Sequence, residues 1–216
     1  SFTDWVVDTP SGSTTLDGSM DPVRSPALKV ARTSSAGNCL VSHTMAAQSN
    51  PFYMQSSYMT STTTRSYILG LAGASIRVYF SSYNGYFQYY TGSSWINVAS
   101  CSSNTWYDVG FYVRCSDSTY DIYIDGSLVM SAATLTGSGN IDAVRFQAGA
   151  VGASNTNIWF DDIRVYKDSS VTINNLPANA IAELYDRDGD LIDRIKSGSL
   201  TVPAMKFDGT LMVKLW

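Results

Sequence analysis

Trp106-Tyr107-Asp108-Val109-Gly110-Phe111-Tyr112-Val113-Arg114 is followed by Tyr120-Asp121-Ile122-Tyr123-Ile124-Asp125-Gly126, then by Ala143-Val144-Arg145-Phe146-Gln147 and Trp159-Phe160-Asp161-Asp162-Ile163-Arg164-Val165-Tyr166. Each run alternates residue types with period 2, and turn residues separate the runs. That pattern predicts successive half-buried antiparallel strands. Upstream, residues 27–33, 39–45, 52–59, 66–71, 75–80, 85–90 and 95–98 read as further strands. Their connections are turn-rich, as at Thr9-Pro10-Ser11-Gly12, Tyr83-Asn84-Gly85, Thr91-Gly92-Ser93 and Thr136-Gly137-Ser138-Gly139. No segment keeps a helical period through about 10 to 12 residues. The expected fold class is all-β: an antiparallel jelly-roll β-sandwich over residues 1–167, followed by a small β-rich unit over 168–216. The polar run Asp168-Ser169-Ser170 marks the hinge. Beyond it, 171–176, 181–185, 191–195, 200–202 and 210–215 read as five short strands, too little material for a large core.

Composition narrows the function classes. Charged residues are 15% of the 216-residue chain, against ~25% in typical soluble domains. Ser, Thr, Gly and Tyr fill the gap. That surface suits an extracellular or cell-surface protein that faces glycans or self-associates, and equally a plain β domain with long hydroxyl-rich loops. The net charge is −4 and no Lys/Arg run exists, which argues against a nucleic-acid partner. No apolar stretch approaches the ~18 residues of a membrane span. The chain starts at Ser1 without a charged-then-apolar leader, and reads as a processed chain or a piece of something longer. Of Cys39, Cys101 and Cys115, a bridge between the last two would close a short loop, but sequence does not establish pairing. An odd count leaves at least one thiol unpaired or paired between chains. The lone His43 offers no zinc cluster.

Strand parity separates two chemistries. Ile76, Val78 and Phe80 oppose Arg77 and Tyr79; Phe87 and Tyr89 oppose Tyr86, Gln88 and Tyr90. Val109, Phe111 and Val113 oppose Tyr112 and Arg114; Tyr120, Ile122 and Ile124 oppose Asp121 and Tyr123; Val144, Phe146 and Ala148 oppose Arg145 and Gln147. The apolar set is the expected core, because burying each such side chain contributes about 1.5 to 3 kcal/mol. The other set, Arg77, Tyr79, Gln88, Tyr90, Tyr112, Arg114, Tyr123, Arg145 and Gln147, is the candidate ligand-binding face. Sugars want that mixture: C–H faces stack on rings, and hydroxyls meet amides and guanidinium groups. The alternative is that these side chains pair with each other, Arg on Tyr and Arg with Asp121.

With these residues in place, the chain resembles the concanavalin A-like, laminin-G-like jelly rolls over about residues 1–167. Thr105-Trp106-Tyr107-Asp108-Val109 looks like the strand opener of that family. Asp121-Ile122-Tyr123-Ile124-Asp125-Gly126-Ser127-Leu128-Val129 looks like its Y-x-D-G-x-L-V hairpin. Phe160 to Tyr166 looks like its closing strand, which in the family pairs near the N-terminal strand, here around Phe2 to Val6. The tail, with Leu176-Pro177 and Glu183-Leu184-Tyr185-Asp186, is similar to small β-sandwich appendages of secreted microbial proteins. The resemblance implies two antiparallel sheets, one of them concave, and binding of glycans or proteins, often with calcium. Some relatives are glycosidases or polysaccharide lyases.

Catalysis finds little support. Glycoside hydrolysis needs two carboxyls across the scissile bond, and the one Glu, Glu183, lies in the tail. A lyase would use a Tyr or His base with Arg or Gln at a uronate carboxylate; Arg145, Gln147, Arg114, Tyr112 and Tyr123 could supply those parts. However, His43 is not in the Gln-x-His arrangement of lyase relatives. Calcium is the expected cofactor, with Asp161 or Asp162 and Asp4 as ligands. The alternative there is a salt bridge from the Asp pair to Arg164 or Arg24. Asp186-Arg187-Asp188-Gly189-Asp190 resembles the start of an EF-hand loop, yet Ser197 stands where the closing Glu would be, so it reads as a hairpin turn. The leading expectation is a noncatalytic extracellular carbohydrate-binding or adhesion module with a glycan or polysaccharide partner. A structural subunit of a cell-surface layer, filament or virion, self-associating through the C-terminal strand, is the second. A polysaccharide lyase is the third.

Overall fold

The computed structural model describes residues 5–8, 12–17, 27–33, 39–49, 51–62, 66–149, 156–167, 171–185, 191–202 and 211–215. The chain forms two compact units, Ser1–Val165 and Tyr166–Trp216. The first contains β1 (Trp5–Asp8), β2 (Gly12–Asp17), β3 (Ala27–Arg32), β4 (Cys39–Gln48), β5 (Phe52–Thr60), β6 (Ser66–Ala72) and β7 (Ser75–Tyr83). It continues with β8 (Tyr86–Tyr90), β9 (Trp95–Ser100), β10 (Tyr107–Arg114), β11 (Thr119–Ile124), β12 (Ser127–Thr134), β13 (Ile141–Ala148) and β14 (Thr156–Lys167). Two seven-stranded antiparallel sheets form a sandwich, ordered β1-β4-β13-β6-β7-β8-β9 and β12-β11-β10-β5-β14-β3-β2. No helix in the described residues is long and apolar enough to cross a membrane.

The period-2 pattern decides which sides face inward. Val109, Phe111 and Val113 sit beside Ile124, Ile122 and Tyr120 of β11, and all six are buried. From the first sheet, Val78, Phe80, Phe87, Val144 and Phe146 meet them in one core cluster. Rings lock the layers together: Phe80 lies 5.1 Å from Phe111, and Phe146 lies 3.9 Å from Phe160, each pair crossing between sheets. The buried Tyr58 hydroxyl shares a hydrogen bond with Ser82 of the opposite sheet. Hairpin turns follow sequence chemistry. Asn84-Gly85 has φ of 51° and 80°, and Asp125-Gly126 has 49° and 74°, the left-handed pair that a two-residue turn between twisted strands requires.

Several expectations are corrected. The closing strand β14 lies between β5 and β3, not beside the N-terminal strand; β1 is instead an edge strand of the other sheet, on β4. The strand β2 has no strong alternation and escapes a pattern reading. Cys39, Cys101 and Cys115 form no disulfide with one another. Cys115 Sγ donates to the Gln48 carbonyl at 3.4 Å, while burial pushes the Cys101 thiol up to about 11.

The second unit is a three-stranded sheet, ordered β16-β15-β17, of β15 (Val171–Tyr185), β16 (Leu191–Val202) and β17 (Leu211–Leu215). The five short strands expected there are three, because two pairs of segments fuse. Register shifts on both sides of Leu176 absorb the Pro177 region, so β15 and β16 run as one long irregular hairpin. The Asp186–Asp190 turn falls on residues outside those described; the strands flanking it pair antiparallel, Tyr185 opposite Leu191.

Candidate functional site

The expected polar residues occupy three places, since alternate side chains of two stacked sheets point away from each other. Tyr79, Gln88, Tyr90, Arg145 and Gln147 lie on the outward face of the first sheet. Tyr112, Arg114 and Tyr123 lie on the outward face of the second. Arg77 lies at one end of the sandwich. The single face anticipated from parity does not form, and the sheet assignment is the reason: β7, β8 and β13 belong to one layer, β10 and β11 to the other.

On the first sheet the registers build two rows that cross the strands. One runs Gln147–Tyr67–Ser81–Gln88–Asn97. The next runs Arg145–Leu69–Tyr79–Tyr90–Trp95, where Leu69 faces Tyr79 and Tyr90 faces Trp95. Rings touch throughout the second row and its border. Tyr79 is 5.0 Å from Trp95, 5.5 Å from Tyr90 and 5.4 Å from Tyr67, and Trp95 is 5.2 Å from Tyr90. Leu69, Leu71 and Ala143 form an apolar floor beside them, separate from the inter-sheet core. Polar groups border the rings. Gln88 Nε2 donates to Asn97 Oδ1 at 2.7 Å, and Gln147 Nε2 donates to the Gly149 carbonyl at 3.2 Å. Gln88 Oε1, Ser81 Oγ and Arg145 Nε are buried atoms without a hydrogen-bond partner. Such atoms cost free energy until a partner arrives. Tyr67, Trp95 and Asn97 belong to this group but not to the residues expected from sequence. The Tyr90–Trp95 pairing was readable from the short Thr91-Gly92-Ser93 turn, whereas Tyr67 sits in an apolar-looking run, Ser66–Ala72, whose parity is ambiguous.

On the second sheet the self-pairing alternative holds. Arg114 Nη1 and Nη2 donate to the two oxygens of Asp121 at 2.8 and 2.7 Å, and Nε donates to Thr119 Oγ1 at 3.1 Å. Asp121 also accepts the Ala132 amide at 2.8 Å and the Ser131 hydroxyl at 3.3 Å. The Arg114 guanidinium, then the Ala132 amide, hold the Asp121 carboxyl below its ordinary value, and the Asp121 hydrogen bonds raise Arg114 above its own. Arg114 further stacks over Tyr112, 5.1 Å from the ring centre, and Tyr112 stacks on Tyr53 at 4.6 Å. All three guanidinium nitrogens are therefore engaged, which makes Arg114 a structural brace of β10 and β11.

Arg77 breaks parity because of a bulge. Gly70 pairs with Val78 and Leu71 with Ile76, so Arg77 is the extra residue. Ile76 consequently turns outward to the apolar floor, and Val78 remains in the core. Position 70 is tight: a Cβ there would stand 3.1 Å from Val78 Cβ. Arg77 is buried, 2% exposed, beneath the β12–β13 connection.

Of the expected calcium ligands, Asp4 lies outside the described residues. Asp161 Oδ1 accepts the Asp162 amide at 2.8 Å. Asp162, at φ 47°, is exposed and its carboxylate lies 3.4 Å from Arg164 Nη2. No group of three His, Cys, Asp or Glu converges among the described residues. Two adjacent carboxylates alone fall short of the six to eight oxygens calcium takes.

The sequence matches no protein-family model and no curated protein. Solved structures do share its architecture. A sialidase aligns with 80% of this chain at TM-score 0.68 and 14% identity, and this chain covers 18% of it. A botulinum neurotoxin type C structure, described for cell entry that depends on interaction with two ganglioside molecules, aligns with 75% of this chain at TM-score 0.54 and 15% identity. This chain covers 42% of that one. The apo Crh5 transglycosylase aligns with 78% at TM-score 0.53 and 11% identity, with 80% of its own length covered. The chain thus spans less than half of the first two structures. What they share with it is the fold, a jelly-roll β-sandwich.

Proposed function

We propose that the chain is a noncatalytic carbohydrate-binding module and that its ligand, a glycan or polysaccharide, lies across the outward face of β13, β6, β7, β8 and β9. One observation carries this reading: the contiguous group of Tyr67, Tyr79, Tyr90 and Trp95, bordered by Gln88, Asn97, Arg145 and Gln147. Ring faces offer C–H stacking, and the amide and guanidinium side chains of Asn97, Gln147 and Arg145 at their border are the groups that would meet hydroxyls. The solved structures above lend support, since their names concern sialidase and transglycosylase activities and ganglioside contact. A polysaccharide partner and the hydroxyl-rich, weakly charged composition support an extracellular or cell-surface location for the module. The test is retention on a panel of insoluble and soluble polysaccharides. Trp95→Ala and Arg145→Ala are expected to lose retention, and Arg114→Met to keep it. Binding indifferent to Trp95 and Arg145 overturns the assignment of this face.

Calcium remains part of the proposal only at Asp161 and Asp162, with Asp4 completing the set. A rise in melting temperature with added calcium, removed by chelator and absent in Asp161→Asn, is the expected result. Self-association is the second reading. It is favoured by β17, an edge strand whose one neighbour in the three-stranded sheet is β15. Light scattering of the full chain against a chain ending at residue 210 tests it; the same mass for both overturns it.

A further inference from the structure

We infer that the end of the sandwich holds a second ligand site, distinct from the ring face, which takes the carboxylate of an acidic sugar at Arg77. A cleft of about 290 Å³ opens there, and its wall includes Ser49, Arg77, Ser116, Ser118, Ser138 and Asn140. Its size sits at the low end of the ~300–1,000 Å³ of small-molecule sites, suited to one sugar unit. The chain builds it deliberately. The bulge in β7 turns Arg77 away from the outward face, and the Thr136 amide closes over the Arg77 carbonyl at 3.0 Å. The guanidinium is buried yet poorly satisfied: Nη1 donates to the Gly139 carbonyl, and Nε is buried with no acceptor.

A guanidinium stays charged at any physiological pH. Burying it beside one neutral carbonyl leaves a desolvated cation that an anion would stabilise. None of the described residues lining the cleft is a carboxylate. The missing partner therefore comes from a ligand. A planar carboxylate matches the flat guanidinium fork, and the serine hydroxyls with the Asn140 amide supply donors and acceptors for ring hydroxyls.

Glucuronate, glucose, acetate and inorganic phosphate are the probes, read by titration calorimetry and thermal shift on the whole chain. Glucuronate is expected to bind at least about tenfold more tightly than glucose or either small anion. Asn140→Asp puts a carboxylate into the cleft from the chain itself. Because Asn140 is exposed, this variant should fold normally, with undiminished melting temperature, and lose glucuronate binding by about tenfold or more. Arg77→Gln should lose it as well. Trp95→Ala should leave glucuronate binding unchanged while removing retention on neutral polysaccharides, which separates this site from the ring face. Glucuronate binding no tighter than glucose, or unaltered in Asn140→Asp, overturns the site. Acetate or phosphate binding as tightly as glucuronate overturns the saccharide assignment.

Discussion

Asp121→Ala isolates the claim that Arg114 braces the second sheet and is spent there. The substitution removes acceptors for two guanidinium bonds at 2.8 and 2.7 Å and for the Ala132 amide at 2.8 Å. Breaking a fully buried ion pair by deleting one partner costs about 3–5 kcal/mol. Here the Arg114 side chain is 21% exposed, so water partly replaces the lost partner and the lower end of that range applies. The backbone amide of Ala132 loses its acceptor as well, worth about 1 kcal/mol. The net loss should be about 4 kcal/mol, or about 8–16 °C in melting temperature for a chain of this size. Urea unfolding followed by tryptophan fluorescence measures it. Combined with Arg114→Met, the double variant should fall short of additivity by about 2 kcal/mol. The pH dependence has a defined sign. Arg114 holds the Asp121 carboxyl below its ordinary value, so the stability it contributes is present above the unfolded value of about 4 and is lost as pH falls through the folded value. The wild-type advantage over Asp121→Ala must therefore shrink in acid. A loss below about 1 kcal/mol, or strict additivity, would refute the brace and return Arg114 to the list of ligand contacts.

Trp95→Ala should weaken polysaccharide binding by about 2 kcal/mol, roughly 30-fold, as for a central aromatic anchor, with little change in melting temperature; affinity electrophoresis checks both halves. Gly70→Val should cost about 1–3 kcal/mol, because its side chain meets Val78 and Ile141 at 3.1 and 3.2 Å; chemical denaturation measures it. Burial raises the Tyr58 and Tyr120 hydroxyls above their ordinary value. The stability they contribute is full below pH ~10 and falls as pH rises beyond it, so their tyrosinate absorbance should appear together with alkaline unfolding and not before. Among the thiols, an aromatic disulfide reagent should label Cys115 first, since Cys39 and Cys101 are buried and the Cys101 thiol is pushed up to about 11.

Most of the first unit was legible because its core strands obey one local rule: Val109, Phe111 and Val113 inside, Tyr112 and Arg114 outside. That rule is blind to which of two layers a strand joins. Arg114 and Arg145 look equivalent along the chain, yet they emerge on opposite surfaces. Parity also fails wherever a residue is inserted, and Arg77, the extra residue opposite the Gly70–Leu71 step, is the clear instance. Trp95 was missed as a site residue because its importance comes from Tyr79 and Tyr90 beside it, a neighbourhood that only sheet pairing creates. In the second unit, 171–176 and 181–185 read as separate strands, whereas the irregular register of β15 against β16 carries one strand past Pro177.

The crossing rows of the first sheet have a directional consequence. Strands step by about 4.8 Å, and the row from Arg145 to Trp95 advances one residue per strand over five strands. An extended polymer laid along that row travels perpendicular to the strands and gains a fresh contact at each step. Affinity should then climb with oligomer length until the width of the sheet is covered, and internal stretches of a long chain should serve as well as its termini.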